Sequence, residues 1–192
     1  MENKIIIVSG NTEREVSSVV GCQVEWLGTN GLLKIWEPFV IKGTKIQIGS
    51  DSSVEILQKC NVNNLFLRCA AQHSTVKIGE RFSIESGRFI LPKGMAQQTL
   101  VIGNDCLFST NIFIQSSDGH AILDKNGNVI NCNGGDVVVG NHVWLGNGVS
   151  VLKKAKIADD CVVGESSVVT KPFSRKGCIL AGVPAKIVKV DI

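Results

Sequence analysis

The feature that most constrains the fold is a six-residue repeat near the C-terminal end of the sequence. An aliphatic residue recurs every six positions, and a small residue usually follows it: Val139-Gly140, Leu145-Gly146, Val151-Leu152, Ile157-Ala158, Val163-Gly164 and Val169-Thr170. A second column, two residues earlier, holds small or medium-sized residues: Val137, Val143, Val149, Ala155, Cys161 and Ser167. Two columns in register predict two rows of side chains that point into one core.

A period of six excludes the common fold classes. Six residues do not return to one face of a 3.6-residue helical turn, and an antiparallel sandwich needs turns every 8–12 residues. A six-residue unit is one short strand and one bend, which cannot bury its aliphatic residue alone, so the units must stack. The pattern predicts an all-β chain: a parallel β-helix of triangular section with about 18 residues per coil and coils about 4.8 Å apart.

The same spacing occurs earlier, from Ile48 to Ile114. We predict one uninterrupted phase over this stretch, with a degenerate coil where the repeat position holds Cys60, Phe66 and Gln72. After Ile114 the next aliphatic repeat position is Val139, and this distance is not a multiple of six. A polar, turn-rich loop is therefore expected outside the coils, near residues 116–135.

The first 45 residues show no six-residue phase. They contain Trp26, Trp36 and Phe39, and we expect strands and a loop that cap the open end of the β-helix, because an uncapped coil exposes unpaired strand edges. The predicted organisation is an N-terminal cap over residues 1–45 and a β-helix domain over residues 46–192 that ends in a short tail.

Composition narrows the functional classes. The 192 residues carry a net charge of +3, and their few aromatic residues do not interleave with basic ones, so nucleic acid is not an expected partner. The longest purely aliphatic run, Ile5 to Val8, is far shorter than a membrane span or the apolar region of a signal peptide. The seven cysteines form no C-x-x-C pair and are expected to be reduced and mostly buried. We expect a cytoplasmic protein.

Two short motifs add specificity to the repeat. Asn141-His142-Val143-Trp144-Leu145-Gly146 lies inside the regular block, and Ala181-Gly182-Val183-Pro184-Ala185-Lys186 follows it. Together with the repeat, over roughly residues 46–190, they resemble the hexapeptide-repeat acyltransferases, whose fold is a left-handed β-helix. Ser117-Asp118-Gly119-His120 in the inserted loop makes the sequence most similar to the sugar and capsular-polysaccharide O-acetyltransferases.

His120 is the candidate general base. An imidazole with a pKa near 6.5 can take the proton of a sugar hydroxyl as its oxygen attacks a thioester, without a covalent acyl-enzyme. The family's catalytic histidine lies in this loop, and its separation from the motif tryptophan is the one that His120 has from Trp144. The resemblance implies that Trp144 lines the acetyl end of the pantetheine channel, and a backbone N–H such as that of Asn147 could stabilise the oxyanion. Asp118 could orient His120, although Ser-Asp-Gly also simply forms a turn.

The other two histidines carry weaker arguments. His142 is expected to be structural, and His73 lies in the degenerate coil without a partner. A carbonic anhydrase built on a similar β-helix needs two histidines close together in sequence, and positions 73, 120 and 142 lack that spacing. We expect no metal site.

The resemblance also implies a coenzyme A groove. The matching positions are Asn147, Glu165, Thr170, Lys171, Lys186 and Lys189. Lysines suit the phosphates of coenzyme A, although lysines in a tail also commonly face solvent. Glu165 departs from the small residue usual at its position.

The sequence thus favours an acetyl-CoA-dependent O-acetyltransferase that acts on a sugar hydroxyl of a surface polysaccharide or its precursor. The resemblance implies a homotrimer, because the family's groove lies between two β-helices. A nucleotide-sugar N-acetyltransferase and an antibiotic or serine acetyltransferase remain alternatives within the enzyme class. A non-catalytic β-helix scaffold is the alternative outside it.

Overall fold

The chain folds into three sheets of mainly parallel strands that wrap around one core. The computed structural model describes residues 2–94, 97–131 and 134–192 and contains about seven turns. We call the sheets A, C and B, in the order in which each coil passes through them, and number the strands in chain order.

Each sheet gains one strand per coil. Sheet A runs in the spatial order β2 (Thr12–Val16), β1 (Lys4–Ser9), β4 (Leu32–Trp36), β7 (Ser53–Ile56), β10 (Thr75–Ile78), β13 (Thr99–Ile102), β16 (Val137–Val139), β19 (Lys156–Ile157) and β22 (Pro172–Phe173). Sheet B contains β3 (Cys22–Trp26), β6 (Thr44–Ile48), β9 (Leu65–Cys69), β12 (Gly87–Leu91), β15 (Ile112–Gln115), β18 (Ser150–Leu152) and β21 (Val168–Val169). Sheet C contains β5 (Phe39–Lys42), β8 (Cys60–Asn63), β11 (Ser83–Ile84), β14 (Leu107–Phe108), β17 (Trp144–Leu145), β20 (Val162–Val163), β23 (Cys178–Ala181) and β24 (Lys186–Val190).

The core confirms the two inward columns of the regular block. All twelve residues of these columns, from Val137 to Val169, are at most 2% exposed. In the middle coils, Phe108 contacts Phe82 and Phe89 edge to face, with ring centroids 5.0 and 6.3 Å apart. Such aromatic packing fills the wide centre of a three-sided core.

The uninterrupted phase predicted from Ile48 to Ile114 is wrong. Phe66 and Ile90 lie on outward positions between buried neighbours, and Gln72 is exposed. The register shows why: the coil that leads from Gly87 to its partner Ile112 is longer than the coil that leads from Ser150 to its partner Val168. Each residue added at a corner moves the inward-facing positions of the next strand by one residue along the sequence. The strict hexapeptide spacing is therefore kept only in the last coils.

The regular coils also begin before residue 46. Within the predicted cap, β3, β4 and β5 pair in parallel with the next strands of sheets B, A and C, so they form a coil of the β-helix. Cys22 pairs with Thr44, and this separation is not a multiple of six, which hides the coil from a search for that period. Among residues 2–45, the β1–β2 hairpin departs from this pattern, since β2 runs antiparallel along the edge of sheet A. At the other end of the chain, β24 runs antiparallel to β23 along the edge of sheet C.

The corners are tight turns that recur in register. Where the chain passes from sheet A to sheet C, at the A–C corner, a left-handed residue recurs in six successive coils: Lys59, Arg81, Asp105, His142, Asp160 and Gly177, with φ between 53° and 62°. Just before this turn, Gly103 approaches the next coil so closely that a Cβ atom would lie 2.5 Å from the carbonyl oxygen of Gly140. This contact explains the small residue that follows the aliphatic position.

No α-helix occurs in the part of the chain that the structure describes, and so none that could cross a membrane. Of the cysteines, Cys22, Cys60, Cys69, Cys106, Cys161 and Cys178 are free thiols, and all except Cys22 are buried. Burial raises the pKa of the Cys69 thiol to about 12, which keeps that thiol protonated. Cys132 lies outside the described residues.

Candidate active site

The loop that carries His120 leaves the β-helix at the corner between sheets B and A. It follows β15 and rejoins the coils at β16, so it occupies the stretch predicted near residues 116–135. Its described part folds back on itself, because Leu123 pairs with Val129 and the Ile130 N–H donates to the Ile122 carbonyl at 2.9 Å. Ile122, Leu123, Val129 and Ile130 are all 46–64% exposed.

The base of this loop is held by a network around Asp118. The Asp118 carboxylate accepts hydrogen bonds from Lys153, in the next coil, and from the Asn131 side-chain amide at 2.7 Å. The same amide donates to the His120 carbonyl at 2.9 Å, and Asn131 Oδ1 accepts the Ile122 N–H at 2.5 Å. Asn131 therefore holds the main chain that follows His120 and ties it to the side chain of Asp118.

The Asp118 carboxylate was expected to contact the His120 ring, but its partners are Lys153 and Asn131. Among the described residues, no hydrogen bond joins the Asp118 carboxylate to the His120 ring, which is exposed. Lys153, followed by Asn131, lowers the pKa of Asp118, so this carboxylate is ionised at neutral pH. Asp118 reaches His120 through the Asn131 amide and the main chain. Neither Asn131 nor Lys153 follows from the repeat, because both contacts close a loop outside it.

Trp144 lies outward on sheet C and is 51% exposed. Its cross-strand neighbours are Leu107 on one side and Val162 on the other, followed by Ile179 and then Lys189. With strands about 4.8 Å apart, this stripe extends about 14 Å from Trp144 to Lys189. The outer surface of sheet C is therefore an apolar strip with a lysine at its far end.

Asn147 and Glu165 lie at the corner between sheets C and B, beside this strip. The Thr110 hydroxyl donates to Asn147 Oδ1 at 2.6 Å, and Asn147 Nδ2 donates to Glu165 Oε1 at 3.1 Å, so the three side chains form a ladder across successive coils. No acceptor in the described part of the chain takes the Asn147 N–H. That N–H remains available for an oxyanion.

The other predicted coenzyme A residues divide between two places. Lys186 and Lys189 are exposed on β24, the last strand of sheet C. Thr170 and Lys171 follow β21, at the same B–A corner as the His120 loop, and Lys171 Nζ lies 5.6 Å from the Phe173 ring centroid.

The site residues thus form two groups on one chain. Trp144, Asn147, Glu165, Lys186 and Lys189 surround sheet C, whereas Asp118, His120, Thr170 and Lys171 lie at the B–A corner. In a three-sided coil this corner is opposite sheet C. Asp118 is bound to Lys153 at the corner, and two residues of chain span at most about 7 Å, so His120 stays there too.

The structure adds a groove that the sequence did not predict. It runs between Trp144 and the A–C corner, encloses about 730 Å³, and is lined by Asp105, His142 and Asp160 among others. The only sequence signal was His142 itself, which we expected to be structural.

The family model described as bacterial transferase hexapeptide (six repeats) matches residues 136–171, the block that keeps the strict hexapeptide spacing. The solved structure of the polysialic acid-specific acetyltransferase NeuO superposes with a TM-score of 0.83 at 25% identity, over 99% of this chain and 77% of that one. Residues 136–171 thus carry the repeat of the bacterial hexapeptide transferases, and the whole chain shares the fold of a solved acetyltransferase. The match also confirms a left-handed parallel β-helix.

Several relatives of the chain are O-acetyltransferases. The polysialic acid O-acetyltransferase of Neisseria meningitidis is 33% identical over 134 residues, 68% of this chain and 60% of that protein. The chain spans 39% to 60% of the length of the polysialic acid O-acetyltransferases that it matches. A galactoside acetyltransferase solved in complex with coenzyme A shares the fold, with a TM-score of 0.53 at 20% identity.

Proposed function

We propose that this chain is an acetyl-CoA-dependent O-acetyltransferase that acts on a sugar hydroxyl of a surface polysaccharide or its precursor. We further propose that it works as a homotrimer in the cytoplasm, with His120 as the general base. The observation that carries the proposal is the division of the site residues between sheet C and the opposite B–A corner. A second copy can place its corner against sheet C of the first and so complete the site.

The levels along the β-helix axis support this arrangement. The His120 loop joins β15 to β16. Its height along the β-helix axis is therefore between those of Leu107 and Trp144 on sheet C. Lys171 follows β21 and lies near the level of Ile179. A rotation about an axis parallel to the β-helix does not change the height of a residue along that axis. The neighbour's His120 would therefore lie beside Trp144, and its Lys171 would lie nearer Lys189. A cyclic trimer has this symmetry.

The apolar hairpin of the loop supports the same assembly. Four exposed aliphatic side chains, Ile122, Leu123, Val129 and Ile130, project from one chain next to His120. A concentrated exposed apolar patch commonly marks an interaction site. In a trimer we expect these side chains to pack on the neighbouring copy.

The residues of sheet C suit acetyl-CoA. The apolar strip from Trp144 to Ile179 suits the pantetheine arm, and Lys189 and Lys186 at its end suit the phosphates. Bound acetyl-CoA supplies the acetyl group as an activated thioester. Lys171 of the neighbouring copy adds a positive charge near the phosphate end.

The chain's own residues then account for the transfer. The neutral His120 imidazole takes the proton of the acceptor hydroxyl while its oxygen bonds to the carbonyl carbon. The Asn147 N–H stabilises the negative charge that develops on the carbonyl oxygen. When the carbon–sulfur bond breaks, the His120 imidazolium returns the proton to the sulfur. The products are an acetyl ester and the free thiol of coenzyme A.

The test is thiol release from acetyl-CoA with a galactoside, a sialic acid oligomer and an amino-sugar nucleotide as acceptors. We expect release with a hydroxyl acceptor and a loss of about 10²–10⁴-fold in His120→Ala. His73→Ala is the matched control, because His73 is an exposed histidine at the B–A corner two coils before the loop. Wild-type activity in His120→Ala would refute the base, and the absence of acetyl-CoA binding would favour a scaffold.

A further inference from the structure

The groove beside Trp144 has an apolar floor and one polar edge. Leu107, Trp144 and Val162 form an apolar floor, and His142 and Asp160 rise from the A–C corner along one edge. A half-exposed indole next to a few polar groups is the usual composition of a site for a small ligand with both apolar and polar faces. The sugar ring of an acceptor is such a ligand.

His142 is held in a defined orientation by Asp160. The two residues occupy the same left-handed turn in successive coils, and the His142 Nδ1 and Asp160 Oδ1 atoms are 3.1 Å apart. When Nδ1 carries the proton and donates it to the carboxylate, Nε2 remains as a hydrogen-bond acceptor. The His142 side chain is 76% exposed, so Nε2 is open to a ligand.

The charges that line the groove are already compensated by the protein. The Asp105 carboxylate accepts two hydrogen bonds from Arg81, at 2.5 and 2.8 Å, and this contact lowers the pKa of Asp105. Lys176 pairs with Asp159 at 2.6 Å, and Asp191 pairs with Arg175 at 3.0 Å.

Asp160 remains as the one groove carboxylate in the described residues whose partner is a titratable histidine. This balance favours an uncharged, hydroxyl-bearing ligand over a phosphate or a carboxylate. A metal ion is also disfavoured, because the described residues form no cluster of ligands that could hold one.

We propose that the part of this groove over Leu107 and Trp144 binds the hydroxyl-bearing part of the acceptor, next to the pantetheine arm on Val162 and Ile179. His142 Nε2 and the Asp160 carboxylate accept hydrogen bonds from the acceptor's hydroxyl groups, and Trp144 contacts the apolar face of the sugar ring. The inference rests on the proposed function and gives it an acceptor subsite. His142 is a specificity-determining residue in this account, and the proton transfer remains with His120.

The test variant is His142→Gly, and its matched control is His73→Gly. Both histidines have φ near 55°, and glycine accepts that conformation without strain, as Gly177 does in the A–C corner that contains His142. Asp160→Asn is a second variant that keeps the shape of the side chain and removes its charge. Thermal unfolding of each variant verifies that the fold is retained.

Direct binding is measured first, by saturation-transfer NMR with a galactoside and a sialic acid oligomer in the absence of acetyl-CoA. We expect contact of at least one sugar with wild type and His73→Gly, and about 10-fold weaker binding to His142→Gly, as for the loss of one hydrogen bond to a polarised group. Asp160→Asn is expected to change in the same direction. Equal binding to His142→Gly and His73→Gly, or no sugar bound by wild type, would overturn the subsite.

Turnover separates this subsite from the proposed function. In thiol release, His142→Gly is expected to raise the acceptor KM about 10-fold and to leave the Kd of acetyl-CoA unchanged. A weaker acetyl-CoA affinity with an unchanged acceptor KM would assign the groove to the cofactor and refute the proposal. Sugar binding that depends on His142 in a wild-type protein without acetyl transfer would support the subsite and refute the transferase.

Discussion

At the scale of single residues, the His120 loop depends on one amide. Asn131 donates to both the Asp118 carboxylate and the His120 carbonyl, and it accepts the Ile122 N–H. Two of these hydrogen bonds hold the main chain just after His120, and the third joins Asn131 to the Asp118 side chain. Asn131 is therefore a positioning residue for the candidate base.

We expect Asn131→Ala to reduce kcat about 10²-fold, because a displacement of about 1 Å at a reacting group has an effect of this size. The Kd of acetyl-CoA should not change, since no residue of sheet C is altered. Asn128→Ala is the control, because the Asn128 side chain bonds to Asp124 within the hairpin. Equal kcat values for the two variants would exclude a positioning role.

The Asp118 network predicts a pH dependence with a definite sign. Lys153 and Asn131 hold the pKa of Asp118 below its usual value of 3.8, so this carboxylate stabilises the loop above that pH and loses its effect as the pH falls through the lowered pKa. Hydrogen exchange of residues 118–131 should therefore show equal protection at pH 7 and pH 5, after correction for the intrinsic rates. Asp118→Asn should lose protection at both values, and an unchanged exchange pattern in this variant would contradict the network.

Some residue positions in the candidate site could be predicted from the sequence, and others could not. The outward position of Trp144 follows from the alternation around Val143 and Leu145, both buried. The contacts of Asn131 and Lys153 do not follow, because they close a loop that lies outside the coils and carries no periodic signal. We expected His142 to be structural, and the sequence could not show its contact with Asp160, which lies in the next coil.

At the scale of structural elements, the coils depend on close backbone contacts at the corners. A Cβ atom on Gly103 would meet the backbone carbonyl oxygen and carbon of Gly140 at 2.5 and 2.6 Å. At Gly164 the nearest atom would be the Ala181 Cβ, at 3.3 Å. We expect Gly103→Ala to reduce the free energy of unfolding by about 1–3 kcal/mol, and Gly164→Ala to reduce it less. Urea unfolding of both variants measures the difference, and equal midpoints would show that the corners are not close-packed.

The fold could be predicted at this scale only where the corners are minimal. From Val137 to Val169 each coil consists of three hexapeptides, and the hexapeptide columns match the core. In earlier coils the corners gain several residues, so the period of six disappears although the three sheets continue. The coil formed by β3, β4 and β5 was hidden for this reason.

At the scale of the whole molecule, one chain holds the two halves of the candidate site on opposite sides. His120 lies at the B–A corner and Trp144 on sheet C. Sequence periodicity cannot show this division, since it depends on which corner carries the insertion and which sheet carries the tryptophan. The proposed mechanism therefore requires each active site to combine residues from two copies of the chain.

Complementation between inactive variants tests this claim most directly. His120→Ala and Trp144→Ala proteins are each assayed alone for acetyl-CoA turnover, then unfolded together in equal amounts, refolded and assayed again. If each site takes His120 from one copy and Trp144 from its neighbour, random assembly restores about one quarter of the wild-type sites. Recovery near that level is the result we predict. Activity of the co-refolded mixture no higher than that of the two variants alone, while wild type refolded in the same way regains its activity, would contradict a site shared between copies.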